Sequence, residues 1–391
     1  MARPRVLFAV TVYNGADVVP WCLRSAASAA SGSDRTDCDV LVLDDASPDP
    51  GFSEQVEDLC AELGIQYYRS PRNLGIPRNV NIGLITAVHR GYDYVIIANS
   101  DVLFGAGTID RMMEVMTSDE RIGSVTAWSN NVSIYSLPND APDTNLASQG
   151  VVDWISDTMA EEFGPSAVDI PAGISFCILI PTAVLKTVGL MDPVYGRGYC
   201  EETDWTLRSQ ALGYRIVLAP SAFVYHRGQA SNRDAGLLAS GHTSVPAHER
   251  IVDLRYPLFR EQVNGFINSE ILDLLWNSAR RAILTRAAAE LGYEVHLGLL
   301  NPGTEAASGP LVTFERLYGS LIPVARFRGF RMELPGTAPG GDLVGSITEF
   351  FGREPDSVRL ADHSPLSREV AEELTRGGLP LHTDLGYPIH V

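Results

Sequence analysis

Lysine is almost missing from this chain: of 391 residues only Lys186 is one, so nearly all of the 30 basic side chains are arginines. A Gly-rich, Lys-containing triphosphate loop is therefore absent, which counts against an enzyme that consumes a nucleoside triphosphate. Positive charge as a whole is scarce, since 48 acidic residues leave a formal net charge of -18. That balance argues against nucleic acid or an anionic membrane as the main partner, because both need clustered cations. Cysteine is sparse too: Cys22, Cys38, Cys60, Cys177 and Cys200 are scattered, odd in number and without a Cys-x-x-Cys pair. This excludes a disulfide framework and a cysteine zinc cage, and fits a reducing compartment. No apolar run reaches the ~20 residues of a membrane-spanning helix; the nearest, 172–185, is interrupted by Pro181. The N-terminus enters a strand-like run, Arg5 to Val10, without a signal-peptide pattern, so the Asn131-Val132-Ser133 acceptor motif carries no glycosylation inference. The expectation is a cytoplasmic protein without a transmembrane segment, with peripheral membrane association left open.

What is present is enough apolar material, 45% of residues, to fill a substantial core. In the first half, strand-like and helix-like segments alternate, which predicts an α/β fold with a mostly parallel sheet covered by helices. Strands are expected at 6–12, 39–43, 65–68 and 94–98, with helices at 18–30, 53–63 and 77–89 between them. The 94–98 run is apolar, as in the buried middle of a parallel sheet. Ligands collect at the carboxyl ends of such strands, and three polar clusters share that edge: Thr11 to Asn14, Asp44 to Ser47, and Asn99-Ser100-Asp101.

From Val125 to Asp169 the residues read as a loop-rich cover or lid. A helix is expected from near Glu202, followed by a strand through 213–218 and a second strand-like run at 221–225. The domain reading is a catalytic domain over 1–235 and a mostly helical accessory region over 236–391, with one long amphipathic helix from Glu261 to Leu291 and a Pro/Gly-rich joint at 334–341. That region is a candidate for acceptor binding or homo-oligomerisation.

The segment Tyr199-Cys200-Glu201-Glu202-Thr203-Asp204-Trp205 places three carboxylates in four positions, with His226 about twenty residues on. Acids in a first helical turn also suit the positive end of the helix, which explains one or two of them. Together with Asn99-Ser100-Asp101, these residues point to a site that holds a metal diphosphate and takes a proton from an incoming hydroxyl. The order Thr11-Val12-Tyr13-Asn14, Asp44-Asp45-Ala46-Ser47, Arg72-Asn73-Leu74-Gly75 with Arg78-Asn79, Asn99-Ser100-Asp101, Pro171-Ala172-Gly173, Glu201 to Asp204 and His226 resembles the family 2 glycosyltransferases of the GT-A fold. The resemblance covers roughly residues 4 to 232, and within the family it is nearest to the rhamnosyltransferase-like members, which often carry Asn-x-Asp.

The resemblance implies a GT-A, Rossmann-like mixed sheet with flanking helices, and inverting transfer from a dTDP- or UDP-sugar, with rhamnose the leading donor sugar. The acceptor would be a hydroxyl on a glycan, a lipid-linked molecule or a small molecule. It assigns the nucleotide base to Asp45, with Asp44, Thr11 and Tyr13 around it. Arg72 and Arg78 would hold the diphosphate, Asn99 and Ser100 would line the donor site, and Gly173 would let the backbone approach the sugar. Mg²⁺ or Mn²⁺ would sit on Asp101 and His226. Glu202 occupies the general-base position with Glu201 beside it, and Asp204 is its rival. Two departures stand out: Asn99 replaces a first carboxylate, and Glu202 stands where an aspartate is usual. They keep a non-catalytic sugar-nucleotide binder as an alternative, with a nucleotidyltransferase behind it.

Overall fold

The computed structural model describes residues 2–137, 146–228, 245–297, 309–317, 320–334, 342–360, 365–379 and 382–383. The chain divides after Asp273 into two compact units. The first is an α/β unit whose strands and helices alternate as β1 (Arg5–Val12), α1 (Val19–Ser31), β2 (Asp37–Asp44), α2 (Pro50–Leu63), β3 (Gln66–Arg69), α3 (Ile76–His89) and β4 (Tyr94–Asn99). Then come β5 (Val102–Phe104), α4 (Thr108–Met116), β6 (Ile122–Trp128), α5 (Gln149–Phe163), β7 (Val168–Asp169), β8 (Cys177–Pro181), α6 (Thr182–Val188), α7 (Glu201–Ala211) and β9 (Arg215–His226).

The nine strands form one sheet in the order β3-β2-β1-β4-β8-β6-β9-β5, with β7 paired to β9. Pairings among β1 to β4 are parallel, and β8 enters antiparallel between β4 and β6. The central strands are apolar on both faces because helices cover both. Along β1, Val6, Phe8 and Val10 enter one core cluster while Leu7 and Ala9 enter another. Burial on both sides fixes the strand, and its carboxyl end then delivers Thr11 next to Asn99 of β4. Trp205 is buried, and its indole N–H donates to the Gly189 carbonyl at 2.7 Å, so it belongs to the core.

Where a loop-rich cover is expected, α5 runs for 15 residues and buries Val152, Ile155 and Met159, a helical spacing behind a Pro- and Asn-rich approach. Residues 138–145 of that stretch lie outside the described residues, as do 335–341 of the expected joint. The long helix expected over Glu261 to Leu291 is two helices, Phe259–Ile267 and Glu270–Leu291, separated at Asn268 and Ser269. The unit boundary lies at Asp273, inside the helix Glu270–Leu291, and the second unit combines helices with a sheet. It holds a six-stranded sheet in the order β13-β12-β11-β10-β14-β15, built from β10 (Glu294–Leu297), β11 (Leu311–Leu317), β12 (Ser320–Phe327), β13 (Phe330–Glu333), β14 (Ser357–Leu360) and β15 (His382–Thr383). Its strands are four to eight residues long apart from the two-residue β15, and Gly and Pro flank several of them, so they carry a weaker sequence signal than the helical periodicity of Glu270–Leu291. Among the described residues no helix is long and apolar enough to cross a membrane.

Candidate active site

A cavity of about 460 Å³ opens at the carboxyl ends of β1, β2 and β4 and is lined by Thr11, Tyr13, Asp45, Asn99, Ser100, Asp101, Glu201, Glu202 and His226 among others. Nine of the expected site residues therefore meet in one place. Asp44, Arg72, Arg78, Gly173 and Asp204 do not line it.

Asp101 and His226 are joined by strand register. Antiparallel pairing of β5 with β9 sets Val102 opposite His226, and the Arg227 amide donates to the Asp101 carbonyl at 3.0 Å. The imidazole stacks on Phe176 with ring centroids 5.4 Å apart, and the His226 amide donates to Asn130 Oδ1 at 2.9 Å. His226 Nδ1 lies 2.7 Å from the Asn131 carbonyl, which can only accept, so Nδ1 carries the proton. Nε2 then turns its lone pair toward Asp101 Oδ1 at 3.3 Å. A lone pair facing a carboxylate at that distance calls for a proton or a cation between them, so the pair fits a hard divalent ion. Burial pushes the Asp101 carboxyl up, but when the ring is doubly protonated the charge and Nε2–H bond of His226, with Arg227, outweigh it and hold the group below its ordinary range. Among the described residues no third His, Cys, Asp or Glu completes a cage. A bound ion would take its remaining oxygens from substrate phosphates and water.

The acids at the start of α7 split by their partners. Glu201 and Glu202 each keep a buried Oε2 without a hydrogen-bond partner. Burial, with Glu202 alongside, pushes Glu201 well above the usual carboxylate range. Glu202 is also raised by burial, against backbone N–H groups of Glu202 and Thr203 that pull the other way. Asp204 is fully buried and tied into the structure: Arg255 Nη1 at 2.7 Å, the Tyr256 hydroxyl at 3.0 Å and the Tyr195 hydroxyl at 3.3 Å donate to Oδ1, and Arg208 Nε donates to Oδ2 at 2.9 Å. Held by those donors and outside the cavity lining, Asp204 is not placed to take a substrate proton.

The same division separates Asp44 from Asp45. Asp44 accepts from the Ser47 amide and hydroxyl, both at 2.8 Å, from the Ser53 hydroxyl at 2.6 Å and from the Tyr67 hydroxyl at 2.9 Å. It knits the β2–α2 turn rather than reading a ligand. Asp45 faces the cavity and grips the amides of Leu74 at 2.7 Å and Gly75 at 2.9 Å. Burial raises it, and those two amides offset part of the rise.

Gly173 is an interior packing point: a Cβ there would lie 2.9 Å from Ile178 and 3.0 Å from Thr206. The expected approach to a sugar is an approach to core side chains. Arg72 and Arg78 are exposed and away from the cavity. The arginine that lines it is Arg197, whose carbonyl accepts from the Ile76 amide at 3.3 Å and whose guanidinium makes no hydrogen bond or ion pair among the described residues. Its setting, Gly196-Arg197-Gly198, is a sequence signal for an arginine carried on a special turn. Gly196 and Gly198 have φ of 55° and 130°, and Tyr199 and Cys200 follow at 73° and 77°. The two non-glycine residues each cost roughly 1–2 kcal/mol. This loop packs on Gly75, where a Cβ would come 2.2 Å from the Gly196 carbonyl oxygen.

Residues 8–180 match the family model described as Glycosyl transferase family 2. The chain is 26% identical over 244 residues to the undecaprenyl-phosphate mannosyltransferase of Micrococcus luteus, covering 62% of this chain and 92% of that protein. It is 26% identical over 212 residues to the N-acetylglucosaminyl-diphospho-decaprenol L-rhamnosyltransferase of Mycobacterium tuberculosis, covering 47% of this chain and 68% of the relative. Among solved structures it is similar to a mannosyltransferase from Pyrobaculum calidifontis in complex with GDP-Man and Mn²⁺, at 16% identity and a TM-score of 0.43 over 74% of this chain and 76% of that one. The strand-end cavity, the acids of α7 and the matched family model lead to one assignment: residues 8–180 match the Glycosyl transferase family 2 model, and the chain is a glycosyltransferase.

Proposed function

We propose inverting, metal-assisted transfer of a sugar, rhamnose or a related deoxysugar, from a dTDP- or UDP-sugar to a hydroxyl of a lipid-linked acceptor. The observation that carries the chemistry is the split at the head of α7: Glu202 lines the cavity and keeps a buried oxygen without a hydrogen-bond partner, while its rival Asp204 lies outside the lining and is ion-paired to Arg208 and Arg255. Glu202 is the general base that takes the acceptor proton as the new bond forms at the anomeric carbon. Its raised pKa strengthens it as a base at neutral pH.

Asp101 and His226 would hold Mg²⁺ or Mn²⁺, which supplies charge neutralisation at the leaving diphosphate. Asn99 and Ser100 lie beside them, and one carboxylate fewer than an Asp-x-Asp pair leaves more of the charge to Arg197. Its guanidinium suits phosphate oxygens in a cavity that otherwise holds Asp45, Asp101, Glu201 and Glu202. Asp45 keeps a lone pair on each oxygen for the imide N–H of a pyrimidine, with Thr11 and Tyr13 lining the same cavity. The names of the two relatives, an undecaprenyl-phosphate mannosyltransferase and an N-acetylglucosaminyl-diphospho-decaprenol L-rhamnosyltransferase, both refer to polyprenyl carriers and support the choice of acceptor.

The test is a donor panel of dTDP-rhamnose, UDP-sugars and GDP-mannose, with decaprenyl-diphospho-N-acetylglucosamine as acceptor and Mn²⁺ present or chelated. Product with an inverted anomeric centre that depends on Mn²⁺ is expected from dTDP-rhamnose. Retention of configuration, or full turnover under chelation, contradicts the mechanism.

A further inference from the structure

The acids of α7 are presented by a loop that cannot hold its own shape. Tyr199 and Cys200 both occupy the left-handed region, directly before Glu201 and Glu202. Such strain persists only where surrounding structure over-determines it.

That surrounding structure comes from two sides: the start of α3, where Gly75 packs on Gly196 and the Ile76 amide donates to the Arg197 carbonyl at 3.3 Å, and Pro246–Arg255, a helix beyond the family-matched segment. Its His248 Nδ1 lies 2.8 Å from the Gly198 carbonyl, so the ring donates to the middle of the strained loop. The same ring meets Tyr195 edge-on, with centroids 5.7 Å apart. At the other end of the helix, Arg255 Nη1 spans Asp192 at 2.9 Å and Asp204 at 2.7 Å, tying the stretch before the loop to the helix after it. Between these two grips, Val252 packs with Tyr195 and Leu207, and Ile251, Tyr256 and Cys200 close around them. The loop is thus held before, within and after its left-handed pair by one element.

We propose that Pro246–Arg255 is the positioning element of the catalytic base: His248 and Arg255 fix the Gly196–Cys200 loop and so aim Glu202 into the cavity. They touch no substrate and act through the loop. This rests on Glu202 being the base. It extends the machinery of transfer past residue 235 and makes the polar contacts of one short helix part of turnover.

The experiment uses the full chain and four variants: His248→Ala, His248→Asn, Arg255→Gln and Glu202→Gln. For each, kcat and donor KM are measured with dTDP-rhamnose and Mn²⁺, and amide hydrogen exchange is followed in the peptide covering 196–204. The Asn side-chain amide can donate to the Gly198 carbonyl in place of Nδ1, so His248→Asn is the rescue. His248→Ala is expected to lower kcat by about 10–100-fold with donor KM within about twofold, as a displaced base does, and to speed exchange in that peptide. His248→Asn is expected to restore both readouts, and Arg255→Gln to follow His248→Ala. Should Arg255→Gln fail to fold, the His248 pair decides alone. Wild-type exchange in His248→Ala overturns the proposal outright, as does faster exchange with unchanged kcat while Glu202→Gln is inactive. If Glu202→Gln itself turns over at the full rate, the fault lies in the base assignment, and the exchange data still report whether the helix holds the loop.

Discussion

The two parts of the cavity wall are built in different ways. The part from β1, β2 and β4 is made of strand ends, whose positions follow from burial of the strands on both faces. The part from Gly196 to Cys200, which leads into Glu201 and Glu202 at the head of α7, is irregular backbone, four of its residues at positive φ, held by side chains from Pro246–Arg255. Each part contains a carboxylate used up by structure beside one turned to the cavity: Asp44 beside Asp45, and Asp204 near Glu202. A carboxylate's place in a motif says that it matters; only its hydrogen-bond partners say whether it builds the site or acts in it.

The sharpest way to break this comparison is to exchange the roles. Glu202→Gln keeps shape and removes the base, so kcat should fall by about 10²–10⁴-fold, read as nucleotide release at saturating donor. Asp204→Asn should act on stability first. The buried charge that Arg208 and Arg255 both reach is lost while each arginine keeps its other partners, at a cost of about 2 kcal/mol, a fall in Tm checked by calorimetry. A mutant as stable as the wild type would remove Asp204 from the structural class.

Arginine offers a second contrast. Arg197→Ala should weaken donor binding about tenfold, roughly 1.4 kcal/mol, by titration calorimetry, whereas Arg72→Ala should leave it within error. Equal losses would return the diphosphate to the surface arginines. The smallest effect concerns Glu201, whose folded pKa is raised by burial and by Glu202. A raised carboxyl contributes stability that is present below its unfolded pKa and lost as pH rises through the folded value. Glu201→Gln should therefore raise Tm at pH 8 and leave it nearly unchanged at pH 4, checked by melting at both.

The strand-end half of the site was legible because its signal is local. An apolar run ending in Asn99-Ser100-Asp101 states its own address, and strand order brings Thr11 and Asp45 to the same edge. Even the Asp101–His226 pair could be expected, since both flank strands. The α7 half was legible in composition and not in role. Three acids in four positions point to different sides of a helix, and nothing local says that Arg255, 51 residues away, reaches back to Asp204. Gly173 shows the same limit: a glycine kept for close approach does not announce whether the neighbour is a ligand or Ile178. The helix α5 and the second sheet were missed where turn residues outnumbered short periodic runs.

The pH–rate profile tests the central claim, that Glu202 is the base and Asp204 its scaffold. Because burial raises Glu202 and the base must be unprotonated, kcat/KM should climb with pH through a limb above the ordinary glutamate pKa. That limb should vanish from the residual rate of Glu202→Gln and persist in Asp204→Asn. A limb that survives in Glu202→Gln and is lost in Asp204→Asn would contradict the account.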